Sequence, residues 1–134
     1  MREEFGIPVR VYIEDTDAAG IVYYVNYLKY MERARTELLR SLGYDKPAMP
    51  QEGVLLVVHS AEAQYRRSAR LDDALRATAV IGKLGRAAVT FEQKIWRGDE
   101  LICEGVVKVA CVADDSRRPC ALPQPIYSAL KAVI

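Results

Sequence analysis

The chain has 134 residues, 51% of them hydrophobic, enough for one compact core and too few for two ordinary domains. Lysine and arginine number 19 against 18 acidic residues, so no global field favours nucleic acid or an anionic membrane, and any basic site must be local. No stretch reaches the roughly 20 apolar residues of a membrane span, and Met1-Arg2-Glu3-Glu4-Phe5 opens no signal-peptide core, so one soluble, cytoplasmic domain over residues 1–134 is expected.

Ile7, Val9, Val11 and Ile13 alternate with Pro8, Arg10, Tyr12 and Glu14, the period of a strand with one face on a core, ending near Glu14. A loop with small residues follows from Asp15 to Val22. Tyr27, Tyr30, Met31, Ala34, Leu38, Leu39 and Leu42 then recur at helical spacing, with Gly43 as the stop. Lys29, Glu32, Arg33, Arg35, Glu37 and Arg40 occupy the other face as paired surface charges. Pro47, Pro50, Gln51 and Gly53 make a connecting loop.

Four strand-like stretches come next, at about 54–65, 74–83, 86–97 and 100–112. The turns between the last three, Gly82 to Gly85 and Arg97-Gly98-Asp99, are short enough to predict an antiparallel meander. Prolines 119, 123 and 125 break the last run, and a short helix starts near Ile126. The layout is α+β: one long helix burying its stripe against a curved antiparallel sheet of about five strands.

Cys103, Cys111 and Cys120 are odd in number and show no CxxC spacing, which argues for three free thiols over a disulfide framework or a zinc site. Cys103 and Cys111 fall on one face of one strand as small buried hydrophobes. His59 is the only histidine and sits among valines, the setting of a hydrogen-bonded structural residue. Ser60, Ser68 and Ser116 lack a G-x-S-x-G context.

Asp15-Thr16-Asp17-Ala18-Ala19-Gly20 has the opening of a calcium loop, but Ala19 and Asn26 stand where further ligands are needed, so no metal is expected. Asp15 reads as a turn or capping residue. Asp17 lies some six residues before the clear helical pattern, among small residues that leave room for a ligand. Free N–H groups at the helix start could stabilise developing negative charge beside it. The residues alone leave Asp17 open between turn or cap duty and catalysis.

The string from Asp15 to Tyr27 (DTDAAGIVYYVNY), followed by Met31-Glu32-Arg33-Ala34-Arg35-Thr36-Glu37, resembles the signature of the 4-hydroxybenzoyl-CoA thioesterase-like family, hotdog in fold, and most closely its YbgC type, the Tol-Pal-associated acyl-CoA thioesterases. Ala69-Arg70-Leu71-Asp72-Asp73, Phe91-Glu92-Gln93-Lys94-Ile95, Arg118-Pro119 and Leu122-Pro123 extend the likeness over nearly the whole chain. It implies hydrolysis of acyl-CoA, or of acyl carrier protein thioesters, without cofactor. Asp17 would be nucleophile or general base, and a backbone N–H on or near Tyr24 the oxyanion donor. Many members of the type carry histidine where this chain has Tyr24; a backbone donor survives that change.

Substrate is expected against Gly20, Tyr23, Val25 and Tyr27. Coenzyme A phosphates call for local cations, for which Arg66, Arg67 and Arg70 form one cluster and Arg117 and Arg118 another, with Lys83 and Arg86 at a turn. The resemblance further implies a homodimer or homotetramer with the acyl pocket between subunits. Two rivals stand beside hydrolysis: a hotdog hydroxyacyl dehydratase, which wants an acid and histidine pair, and a non-catalytic acyl-thioester or envelope-complex binding protein.

Overall fold

The computed structural model describes residues 4–44, 48–49 and 53–134. In chain order its elements are β1 (Phe5–Arg10), a 3-10 turn (Ile13–Asp15), α1 (Val25–Ser41), β2 (Ala48–Met49), β3 (Val54–Tyr65), β4 (Ala74–Leu84), β5 (Ala88–Arg97), β6 (Glu100–Ala113) and α2 (Gln124–Lys131). The connecting loop expected at Pro47, Pro50 and Gln51 lies outside the described residues.

The first strand is shorter than its alternation predicts. Strand geometry stops at Arg10, and the 3-10 turn leaves Ile13 76% exposed while Val9 and Val11 stay buried. The chain turns because the Asp15 carboxylate takes the Tyr12 N–H at 2.9 Å, a local side-chain bond that competes with a ladder. The turn after β4 is also displaced: Gly82 lies inside β4, at a register shift between Ile81 and Lys83, and the chain reverses at 85–87.

All ladders are antiparallel and the sheet order is β1-β4-β5-β6-β3-β2. The predicted meander is β4-β5-β6, while β3 crosses to pair with β6. Register puts Val89, Phe91, Gln93 and Ile95 of β5 on one face with Cys103, Gly105, Val107 and Val109 of β6. This face receives the helix.

The buried stripe of α1 includes Tyr27, Tyr30, Met31, Ala34, Leu38 and Leu39, each large apolar side chain adding about 1.5–3 kcal/mol by leaving water. Gly105 lets Met31 down onto the sheet: a Cβ there would stand 2.7 Å from the Glu62 carbonyl oxygen and 3.2 Å from Met31 Cε. A polar pin crosses the same layer. Gln93, 1% exposed, donates from Nε2 to the Met31 and Thr78 carbonyls at 2.9 and 3.1 Å and accepts from Arg35 Nη1 at 2.9 Å. Burial lowers the ionisation range of Arg35, with Glu32 opposing.

The helix stops as expected. Gly43, at φ +95°, sends its N–H to the Arg40 carbonyl, and Tyr44 sends its own to Leu39, the paired bonds of a glycine C-terminal cap. Because α1 packs over β1, β4 and β5, the helix-side face of β3 is left open at Val58, Ala61 and Tyr65. On its outer edge β3 pairs only at Val54 and Leu55, with β2, among the described residues. No helix is long and apolar enough to cross a membrane among the described residues.

Candidate active site

The loop that carries Asp17 is a miniature hairpin. Thr16 and Val22 form an isolated antiparallel bridge, the Asp17 N–H donates to the Ile21 carbonyl at 2.9 Å, and the Gly20 N–H returns to the Asp17 carbonyl at 3.0 Å. The reversal falls on Gly20, at φ +78°. Nothing lies within 4 Å of where a Cβ would stand, so conformation and not crowding asks for glycine.

The two aspartates hold different posts. Asp15 is a hub: besides the Tyr12 N–H on its carboxylate, its carbonyl accepts the Tyr23 N–H at 2.9 Å and Asn26 Nδ2 at 2.8 Å. It ties the 3-10 turn to the start of α1. Asp17 accepts the Ala19 N–H on Oδ1 at 2.9 Å, an Asx turn, while Oδ2 accepts no hydrogen bond among the described residues and the residue is exposed. Turn duty and an unengaged carboxylate oxygen thus coexist on one side chain. No group of three Cys, His, Asp or Glu residues suited to a metal ion occurs among the described residues.

Beyond the bridge, α1 begins tightly. The Asn26 N–H donates to the Tyr23 carbonyl at 2.8 Å and the Tyr27 N–H to Tyr24 at 3.2 Å, spacings of a 3-10 first turn. The N–H groups of Tyr24 and Val25 donate to no acceptor among the described residues, and the cap residue Tyr24 makes no side-chain cap bond. Two free donors at the positive end of a 17-residue helix suit an oxyanion.

Aromatic rings frame this helix start. Tyr24 meets Tyr23 edge-on at 5.1 Å and Tyr65 at 5.7 Å, and Tyr65 meets Tyr27 at 5.7 Å. Tyr23, Tyr24 and Tyr65 are 47%, 55% and 44% exposed, an apolar ledge facing outward. Tyr27 is buried, and its hydroxyl is engaged: it accepts the Ala69 N–H at 3.0 Å. Burial raises its ionisation, as it does for Tyr65.

The loop is fastened from behind. The Val22 N–H donates to the Ala69 carbonyl at 2.8 Å, and Ile21 bridges Arg70. The 68–73 segment is in turn clasped by Arg97, whose Nη1 reaches the Ser68 carbonyl at 3.1 Å and Asp73 Oδ2 at 2.7 Å while Nη2 bonds Glu100 at 2.6 Å. Burial alone would raise the Asp73 carboxyl, yet the Arg70 N–H and the Arg97 guanidinium hold it below its usual value. Tyr65 and Arg97 fall in none of the quoted motifs; the fold brings Tyr65 to Tyr24 and Tyr27, about 40 positions away, and Arg97 to Ser68 and Asp73, 29 and 24 positions away.

The arginines divide. Arg66 and Arg67 are exposed and pair with Glu104 and Glu100, each at 3.2 Å, and Arg70 is exposed beside the loop. Arg117 and Arg118 lie past the far end of the 14-residue β6, roughly 40 Å away along an extended strand, so the two clusters do not converge within one chain. His59 is exposed at the register shift between Val58 and Ser60. Cys103 is buried, its thiol pushed up to about 12 by burial and then by Glu104, which makes it a poor nucleophile.

Apolar cavities lie elsewhere. One of about 450 Å³ is lined by Phe5, Leu38, Leu42, Ile81 and Val133, roughly 20 Å of helix from Val25. Another of about 100 Å³ lies beside Arg35, Leu39, Leu56 and Phe91. Neither is lined by Asp17, and the first has only Glu4 and Ser41 as polar lining.

Residues 11–130 match the family model described as the thioesterase-like superfamily. The chain is 40% identical over 126 residues to the acyl-CoA thioesterase YbgC of Haemophilus influenzae, covering 93% of each chain. It is 40% identical over 128 residues to the acyl-CoA thioester hydrolase YbgC of Escherichia coli, covering 95% of this chain and 96% of that one. The crystal structure of a probable thioesterase from Bartonella henselae superposes with a TM-score of 0.80 at 31% identity, covering 91% of this chain and all (100%) of the other.

Proposed function

The chain belongs to the thioesterase-like superfamily, and from that premise we propose that it is a cytoplasmic acyl-CoA thioester hydrolase in which Asp17 performs the chemistry. The observation that carries the assignment of Asp17 is its divided carboxylate: Oδ1 is fixed by the Ala19 N–H, leaving Oδ2 oriented and unengaged.

In this reading the thioester carbonyl oxygen rests on the free N–H groups of Tyr24 and Val25, which strengthen their hold as the oxygen becomes an alkoxide. Asp17 Oδ2 either removes a proton from water as that water attacks the carbonyl, or attacks directly to give a mixed anhydride that water then cleaves. Both routes break the carbon–sulfur bond and release coenzyme A as its thiol. Hydrolysis in isotopic water under single-turnover conditions separates them, because only the anhydride route can leave the label in Asp17.

The acyl group lies against the ledge of Tyr23, Tyr24 and Tyr65 near Gly20, and Arg66, Arg67 and Arg70 receive the phosphates. Acyl carrier protein is the alternative carrier. A second copy of the chain pairs along the β3 edge, covering exposed Val57, Val58 and Tyr65, and the assembly is a homodimer or a pair of such dimers. The Tol-Pal envelope system is the setting this reading assigns to the enzyme.

The test is release of free thiol from short, long and aromatic acyl-CoAs by the wild type and by Asp17→Asn. The asparagine retains an oxygen for the Ala19 N–H, so the loop persists while the base is lost. A fall in kcat of about 10²-fold or more is expected; near wild-type turnover on the best substrate would overturn the role of Asp17.

A further inference from the structure

After β6 the chain reverses through 114–117 and returns alongside it. The Ala113 N–H donates to the Arg118 carbonyl at 2.8 Å, Val112 bridges Pro119, and the Cys120 N–H donates to the Cys111 carbonyl at 2.9 Å. The Val112–Pro119 bridge sets Cys111 opposite Cys120, and the two share that one backbone bond, since the Cys111 N–H donates to the Ala87 carbonyl at 2.8 Å. Directly opposed residues of antiparallel strands hold their Cα atoms about 4.5–5.5 Å apart, within the span of about 4.4–6.8 Å that a disulfide bridges. The two Sγ atoms already face each other at 3.6 Å. Cys111 is fully buried and Cys120 is half-buried, so Cys120 is the more accessible residue of the pair.

From this geometry we propose that Cys111 and Cys120 form a reversible dithiol–disulfide site that takes low-molecular-weight disulfides as its oxidant. Cys120, the reachable thiol, attacks one sulfur of the small disulfide as a thiolate. The sulfur–sulfur bond breaks, one small thiol leaves with a proton from water, and a mixed disulfide remains on Cys120. Cys111 Sγ then loses its proton to solvent and attacks Cys120 Sγ, expelling the second small thiol. Two protein thiols are oxidised and one small disulfide is reduced to two thiols. Burial, followed by the neighbouring Cys120, pushes the Cys111 thiol up to about 12, so the second step is the slower one.

The bond would tie the 114–118 tip and the stretch leading into α2 to β6. Cys103 is excluded from the exchange because it lies on the same strand as Cys111, with Ile95 and Tyr65 opposite it on the neighbouring strands.

The experiment incubates the folded chain with oxidised glutathione, alkylates remaining thiols, and maps tryptic peptides by mass. Cleavage after Lys108 and Arg117 separates all three cysteines into different peptides. The expected product is a 111–120 linked pair, lighter by two hydrogens than the sum of the two unalkylated peptides, reversed by dithiothreitol and unchanged in Cys103→Ala. The oxidised chain should melt roughly 5 °C higher, a gain that Cys120→Ser abolishes. Glutathione left on Cys120 with no internal link, a link through Cys103, or no modification of the folded chain would each overturn the proposal.

Discussion

The Tyr27 hydroxyl accepts a hydrogen bond from the Ala69 N–H at 3.0 Å, joining the first turn of α1 to the segment that holds the Asp17 loop. Ala69 is fully buried, so removing the phenol oxygen takes a buried N–H from its partner. Tyr27→Phe should therefore cost about 1–2 kcal/mol of stability in urea denaturation and speed hydrogen exchange at the Ala69 and Val22 amides. Turnover should fall several-fold through misplacement of the loop. Unchanged exchange at both amides would remove this bond from the account.

At Tyr24 the proposed donor is the backbone, and the side chain only shapes the ledge. Tyr24 has φ −56°, a value proline adopts, and its N–H serves no bond in the described structure. Tyr24→Pro should fold with near wild-type melting yet lose about 10²–10³ in kcat. Tyr24→Phe should retain most of it. Equal activity in the two variants would transfer the oxyanion role to another group.

Asp73 supplies a pH signature. Its folded carboxyl titrates below the unfolded one because Arg70 and Arg97 outweigh its desolvation, so its contribution is fully present above the unfolded value near 4 and is lost as pH falls through the lower folded value. With Arg97 and Asp73 31% and 25% exposed, solvent limits the pair to about 1 kcal/mol. Wild type should exceed Asp73→Asn in stability at pH 7, and the gap should close on acidification from roughly pH 5 to pH 2, measured by urea midpoints across that range.

Gly105 marks the closest approach of helix and sheet. Gly105→Ala forces a Cβ to within 2.7 Å of the Glu62 carbonyl oxygen, so it should destabilise by about 1–3 kcal/mol. Trimming Met31 should not restore the loss, because the tighter contact is with backbone. Thermal melts of the single and double variants distinguish these.

Much of the fold was legible because its signals are local. The period of 3.6 from Tyr27 to Leu42 and the glycine after it defined α1 to within two residues, and the strands at 54–65 and 100–112 fell almost where the alternation put them. Asp17 could be singled out from spacing and small neighbours, and its resemblance to a known motif supplied a role. What failed were readings in which a side chain overruled the pattern. Ile13 continues the alternation of β1, yet the Asp15 carboxylate captures the Tyr12 N–H and turns the chain. Gly82, read as the start of a turn, instead lies inside β4, and the chain reverses at 85–87.

The sequence by itself determined where the helix and strands run, since periodicity and turn chemistry act over a few residues. Tertiary structure alone decided that β3 leaves β4 for β6, that Tyr65 and Ala69 stand against the start of α1, that Arg97 clasps their segment, and that Cys111 faces Cys120. Each of these depends on ladder register, and a shift of one residue would send every side chain involved to the opposite face.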